Sequence, residues 1–284
     1  MTRAVHVDVV AVPCCHHGEG PVWDERSQTL LWVDLTADEI HSLEPATGRH
    51  ATQSVGREIG IAVPRRGGGL ALAVREGFAT LDAAGRVTVL ADPLAPHVRM
   101  NDGAVDPEGR FWAGSMAYDA APGAGSLFRL DADGSLTTVL DGVTISNGLA
   151  WDPDARFLYY IDSATGGVDR FDYDRASGAI GRRRRLIDMP FGEPDGMTVD
   201  ADGCLWVAIW DGGQVRRYDP RGRLLESVEV PVTRPTSCAF GGPALDRLFI
   251  TTSRLGLDVG DPVAGALLVV DPGVAGLATP PFEG

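Results

Sequence analysis

The chain has no lysine; all 25 of its basic residues are arginine. Lysine chemistry, such as Schiff-base formation with a carbonyl substrate, is therefore excluded. A positive balance is lacking too. The formal net charge is −14 at pH 7, and phosphate-rich partners need a basic footprint. Nucleic acid and anionic membrane are not expected as partners. No apolar run reaches the ~18–20 residues of a spanning helix. The early stretch VHVDVVAVP is short and interrupted by His6 and Asp8, unlike a secretory signal. Cysteine is scarce, with four residues at 14, 15, 204 and 238. Their spacing is no disulfide framework, so a reduced, cytoplasmic protein is the expectation. G-x-S-x-G, a glycine-rich phosphate loop and useful helical periodicity are all missing.

Turn formers are abundant, with 36 Gly and 19 Pro, and they punctuate an internal repeat. GPVWDERSQTLLWVDL, GIAVPRRGGGLALAV, DGAVDPEGRFWAGSM, GLAWDPDARFLYYID, GMTVDADGCLWVAIW and SCAFGGPALDRLFITT share one pattern. Each is a short apolar strand, a turn, and a second strand rich in aromatic and branched residues. The residue before the turn is Asp24, Pro64, Asp106, Asp152, Asp200 and Gly241 in succession, at intervals of 40–48 residues. A third strand follows each hairpin, and a fourth follows most of them. Four strands repeated six times predict an all-β, six-bladed β-propeller forming a single domain over 1–284. The first strand of each hairpin is expected to line the central channel. The segment from about 5 to 10 is expected to complete the last blade and close the ring.

One register position precedes each predicted inner strand. It holds Glu19, Ile59, Asn101, Asn147, Asp195 and Thr236. Such positions converge on a propeller's axis, so two carboxylates, two amides and a threonine are expected to face one another. Oxygen donors of this kind suit a hard divalent cation, and Glu19 and Asp195 match its charge. The string VPCCHHGEGPVW at 12–23 looks like a zinc site at first sight. The register selects only Glu19 from it. Cys14, Cys15, His16 and His17 are then neighbours, with His17 near the pocket's border. The run RRRR at 182–185 is expected to be a solvated loop between two strands of one blade.

At these residues the sequence resembles the SMP-30/gluconolactonase/regucalcin-like family of six-bladed propellers. The matching motifs are GEGPVWD at 18–24, RMNDGAVDPEGRFWAGSM at 99–116, SNGLAWDPD at 146–154 and PDGMTVDADGCLWVA at 194–208. The resemblance implies that Glu19, Asn147 and Asp195 bind one divalent metal ion, Ca²⁺ foremost, with Zn²⁺, Mn²⁺, Mg²⁺ and Fe²⁺ also admissible. It implies that Arg99 and Asn101 hold substrate oxygens and that Asp195 is also the general base. The implied activity is hydrolysis of a sugar-acid lactone, the expected small-molecule partner. A non-catalytic calcium-binding regulator, an organophosphate or ester hydrolase on the same metal, and a scaffold for protein partners stay open at this point. The short stretch 117–126 corresponds to a variable, lid-like region in which Tyr118 and Asp119 have no role assigned by the resemblance.

Overall fold

In the computed structural model, which describes residues 6–11, 15–257 and 262–284, the repeats fold as six four-stranded antiparallel sheets. They form a six-bladed β-propeller. Blades I to V occupy 18–54, 59–91, 98–143, 146–188 and 193–229. Blade VI takes three strands from 235–270 and the fourth from the N-terminus. That closing strand, Val7–Ala11, pairs antiparallel with Leu267–Val270 and joins the two ends of the ring. Residue 5, where the sequence placed its start, lies outside the described residues. No helix among the described residues is long and apolar enough to cross a membrane.

Composition follows position within each blade. The inner strand Ile59–Pro64 is buried throughout, and Gly18–Asp24 is buried except at its last residue. Buried on both faces, these strands read as apolar runs with little alternation. The outer strand Arg49–Ser54 is almost wholly exposed. The arginine run is not in a loop. It lies within the outer strand Ala179–Asp188, where Arg183 and Arg185 pair with Asp169 of the adjacent strand. Charge on an outer strand discourages pairing with another sheet.

The apolar core is divided among the seams between blades. Phe78 of blade II packs with Met100, Phe111 and Phe128 of blade III. Trp112 and Leu127 of blade III pack with Leu158, Tyr160 and Phe171 of blade IV. Equivalent clusters fill the other four seams. Burial of such side chains contributes about 25 cal/mol per Å² of apolar surface removed from water.

The hairpin-turn aspartates anchor this scaffold. Asp106 is fully buried. It accepts bonds from the Glu108 and Arg110 backbones, Arg110 Nη1, Trp112 Nε1 and the Tyr173 hydroxyl. Asp200 holds Trp206 Nε1 and Arg217 in the same way. The Asp-x₅-Trp spacing of DPEGRFW and DADGCLW encodes both latches. Removing one partner of such a network strands the others in a dry environment. Asp106→Ala is expected to cost about 3–5 kcal/mol in denaturant unfolding. A loss below about 1 kcal/mol would contradict the latch.

All six inner strands break register at the same level. The shifts lie between Glu19 and Val22, Ile59 and Ile61, Met100 and Gly103, Ser146 and Leu149, Pro194 and Met197, and Pro235 and Ser237. The axial positions were expected just before the inner strands. They lie inside them, because pairing with the second strand resumes on the N-terminal side, as in Ser146 with Asp162 and Glu193 with Trp210. A β-bulge bends its strand and re-aims the side chains it carries.

Candidate metal centre

The bulges free Asn101–Asp102, Asn147–Gly148 and Asp195–Gly196 from the ladders. Glu19 is the last paired residue before the bulge of blade I. Relative exposures of 5% for Glu19, 9% for Asn101 and 6% for Asp102, Asn147 and Asp195 place five polar side chains in the interior. Glycine permits the close approach of neighbouring inner strands. A Cβ on Gly60 would stand 1.9 Å from the Asn101 carbonyl oxygen, and one on Gly148 2.8 Å from that of Asp195.

A hydrogen-bond relay orients the amides. Arg99 Nη1 donates to Asn101 Oδ1 at 2.7 Å. Asn101 Nδ2 donates to Asn147 Oδ1 at 2.9 Å and to the Ser146 carbonyl at 2.8 Å. Asn147 Nδ2 donates to Ser163 Oγ at 2.7 Å, and Ser163 donates to the Pro194 carbonyl at 2.6 Å. Both hydrogens of the Asn101 amide are thus spent within the protein. Asn147 Oδ1 keeps a lone pair, and its outward face is fixed by Ser163.

The carboxyls are short of positive partners. Among the described residues, Asp195 accepts no hydrogen bond at its side chain. Glu19 accepts only the Gly20 N–H, at 3.0 Å, and Asp102 only the Gly103 N–H, at 2.7 Å. Burial, then the Asp102 charge, pushes Glu19 up to about 8. Burial, then Glu19 and Asp102, raises Asp195 well above the usual range. Burial raises Asp102 as well. Arg99 is half-buried and forms no salt bridge among the described residues; burial lowers its proton affinity. His17 approaches Glu19 at 3.9 Å. Burial, then Arg99, pushes it down to about 4, so it is neutral near pH 7 and offers no countercharge.

With three buried carboxyls and one guanidinium, the cluster is short of cations, and its carboxyls hold on to their protons instead. A hard cation that takes carboxylate and amide oxygens answers this deficit. No three His, Cys, Asp or Glu side chains among the described residues are gathered closely enough to hold a metal alone. The axial set differs in completing two carboxylates with the amide oxygen of Asn147, and it fits such an ion.

The structure separates the members of the CCHH string. Cys14 lies outside the described residues. Cys15 is buried, with its Sγ 3.3 Å from Trp32 Nε1 and 3.6 Å from His41 Nε2. His16 is exposed beside Thr36. His17 alone faces the axis, between Ser253 Oγ at 2.8 Å and the edge of Trp210. Two register positions do not join the polar cluster. Ile59 is wholly buried. Thr236 donates to the Gly18 carbonyl at 2.6 Å, so its hydroxyl ties blade VI to blade I and does not face the other axial groups.

Asp102 and Ser163 were not singled out in the sequence. Asp102 follows Asn101 directly, and its burial depends on a bulge two residues long. Ser163 belongs to the turn after the second strand of blade IV and carries no local signal. Ser163→Ala removes the acceptor of the Asn147 amide. It is expected to weaken Ca²⁺ affinity about 10- to 100-fold by calorimetry; an unchanged affinity would show that the relay does not set the donor.

A cavity of about 580 Å³ fills the channel on the other side of the bulges. Asp102, Gly20 and Gly103 line its inner end, the turn residues Pro107 and Asp152 its far end, and residues 277–281 also line it. Glu19, Asn101, Asn147 and Asp195 do not line this cavity; Arg99, bonded to Asn101, and His17, near Glu19, border the axial cluster.

A family profile, the SMP-30/gluconolactonase/LRE-like region, matches residues 17–254. The chain is 39% identical to regucalcin from Xenopus laevis over 297 aligned residues, covering 99% of each. Its structure superposes on a calcium-binding protein, regucalcin, from Agrobacterium tumefaciens with a TM-score of 0.94 at 30% identity, covering 99% of this chain and 98% of that one. It superposes on a gluconolactonase from Xanthomonas campestris with a TM-score of 0.78 at 25% identity, covering 94% and 89%.

Proposed function

Because the chain belongs to the SMP-30/gluconolactonase/LRE-like family, we propose that its axial cluster is the active site of a divalent-metal-dependent lactonase opening sugar-acid lactones. The observation that carries this reading is Asp195. It is a carboxyl with 6% exposure and no hydrogen-bond partner among the described residues, set beside a second carboxylate, an oriented amide oxygen and an arginine that forms no salt bridge among the described residues. Glu19, Asn147 and Asp195 would hold the ion, with Ca²⁺ first among the candidates. When bound, a divalent cation supplies Lewis-acid polarisation of the ester carbonyl.

The chain's own groups do the rest. Water adds to the carbonyl carbon, the ring C–O bond breaks, and the product is an open hydroxy acid that loses one proton near neutral pH. Asp195 takes the proton of the attacking water and returns it to the departing ring oxygen. General-base assistance of this kind is typically worth 10²–10⁴-fold. Arg99 directs its unspent donors at the ring. A lactone is uncharged, so this is positioning and not neutralisation. Asn101 fixes Arg99 and Asn147 and retains one acceptor lone pair for the substrate. The buried thiols Cys15, Cys204 and Cys238 suit a reducing, cytoplasmic setting.

A second reading is favoured by the regucalcin relatives, one of them described as calcium-binding: a calcium-binding regulator without turnover. A pH-stat panel of aldonolactones and aryl esters with several cations separates the two. The lactonase reading expects proton release above the spontaneous rate, fastest on a sugar lactone. Ca²⁺ binding without turnover on any lactone would favour the regulator. Preference for aryl esters would indicate a general esterase.

A further inference from the structure

Above the axial cluster stand two polar groups that the hydrolysis does not use. Glu58 lies just before the inner strand of blade II, and Tyr118 just after the strand Phe111–Ala117 of blade III. The Tyr118 hydroxyl donates to Glu58 Oε2, linking the two blades across the mouth. Both backbones are fixed: the Tyr118 N–H donates to the His97 carbonyl at 3.1 Å and the Arg75 N–H to the Glu58 carbonyl at 2.9 Å. Tyr118 is nevertheless 48% exposed, which is a poor place to spend a phenol on packing alone. Of the carboxyl groups that favour the cationic form of Arg99, Glu58 acts most strongly, ahead of Glu19 and Asp195. The pair therefore lies near the same guanidinium that borders the cluster.

The unspent valences are complementary. Arg99 Nη1 serves the Met100 carbonyl and Asn101 Oδ1, and Nη2 approaches Met116 Sδ at 3.3 Å. Nε and part of Nη2 are left as donors. Glu58 retains lone pairs on both oxygens, and Tyr118 Oη can still accept. A sugar hydroxyl is one donor and two acceptors. Two adjacent ring hydroxyls can thus accept from Arg99 while donating to Glu58 and Tyr118. Resting on the lactonase reading above, we propose that Glu58 and Tyr118 form, with Arg99, a diol-reading edge that selects polyhydroxylated lactones over plain ones. The Glu58 charge also counts against substrates carrying a second carboxylate beside that edge.

The test compares Glu58→Gln and Tyr118→Phe with the unmodified Ca²⁺-loaded protein. The first readout is the kcat/KM ratio of glucono-1,5-lactone to δ-valerolactone. Removing a hydrogen bond from a site built to read a hydroxyl is expected to cut that ratio about 10-fold or more in Glu58→Gln, and less in Tyr118→Phe. The second readout needs no turnover: the NMR dissociation constants of 1,5-anhydroglucitol and tetrahydropyran-2-methanol. The polyol is expected to bind tighter, and the substitutions to erode its advantage. An unchanged ratio together with unchanged affinities in both variants overturns the proposal, as does unmodified protein that does not prefer the polyol. If no lactone is opened yet the polyol preference is present and eroded as expected, the diol edge stands and the lactonase reading fails.

Discussion

Asparagine at position 195 is expected to lower kcat/KM on an aldonolactone by about 10³-fold or more, while the protein stays folded. General-base catalysis alone accounts for about 10²–10⁴, and the substitution also removes one of two anionic donors from the axis. The stability effect has the opposite sign to that of a scaffold residue. Asp195 is held against its tendency to ionise by burial and by Glu19 and Asp102. In cation-free protein, Asp195→Asn relieves this repulsion, so the Tm is expected to stay level or rise. Asp106→Ala, whose side chain serves five hydrogen-bond donors far along the hairpin, should do the reverse. Activity within tenfold of the unmodified protein in Asp195→Asn, after correction for spontaneous hydrolysis, would remove Asp195 from the chemistry.

Cation removal is expected to act on stability as well as turnover, and its size should depend on pH. Glu19 binds its proton more tightly in the folded chain, where its pKa is about 8, than at its ordinary value of 4.5. Between those values the folded state carries more protons than the unfolded state, so stability falls as pH rises. The Tm of chelator-treated protein should therefore decline from pH 5 to pH 8. A bound dication replaces those protons and abolishes the decline. Ca²⁺ at a hundred times its dissociation constant adds about 2.7 kcal/mol, several degrees in Tm for a domain of this size. The Ca²⁺-induced rise should be larger at pH 8 than at pH 5. A Tm indifferent to Ca²⁺ at both values would contradict cation binding at the axis.

The repeat alone predicted the propeller because every blade spells its hairpin in the same terms: an apolar inner strand, an Asp- or Pro-containing turn, and a second strand rich in branched or aromatic residues. Ring closure was legible because the sixth repeat lacks one strand and the N-terminus supplies an apolar one. The same register brought Glu19, Asn101, Asn147 and Asp195 forward, and the structure gathers them at one level, at the bulges of blades I, III, IV and V. The bulges themselves were not legible. A strand's alternation does not say where its ladder skips a residue, so the axial positions seemed to precede the strands. Thr236 shows the limit of register reasoning, since its hydroxyl found a carbonyl of the next blade closer than the axis. Ser163 and Glu58 lie outside the repeat's strands; pairing of the first two strands of blade IV brings Ser163 to Asn147, and the packing of blade II against blade III brings Glu58 to Tyr118.

The most direct test of the central claim, a cation-dependent lactonase site on the propeller axis, is a pH-stat titration of chelator-stripped protein with Ca²⁺ on glucono-1,5-lactone. The predicted result is proton release at the spontaneous rate before addition, rising to a plateau at one ion per chain. Proton release well above the spontaneous rate from stripped protein, unchanged by added Ca²⁺, would contradict it.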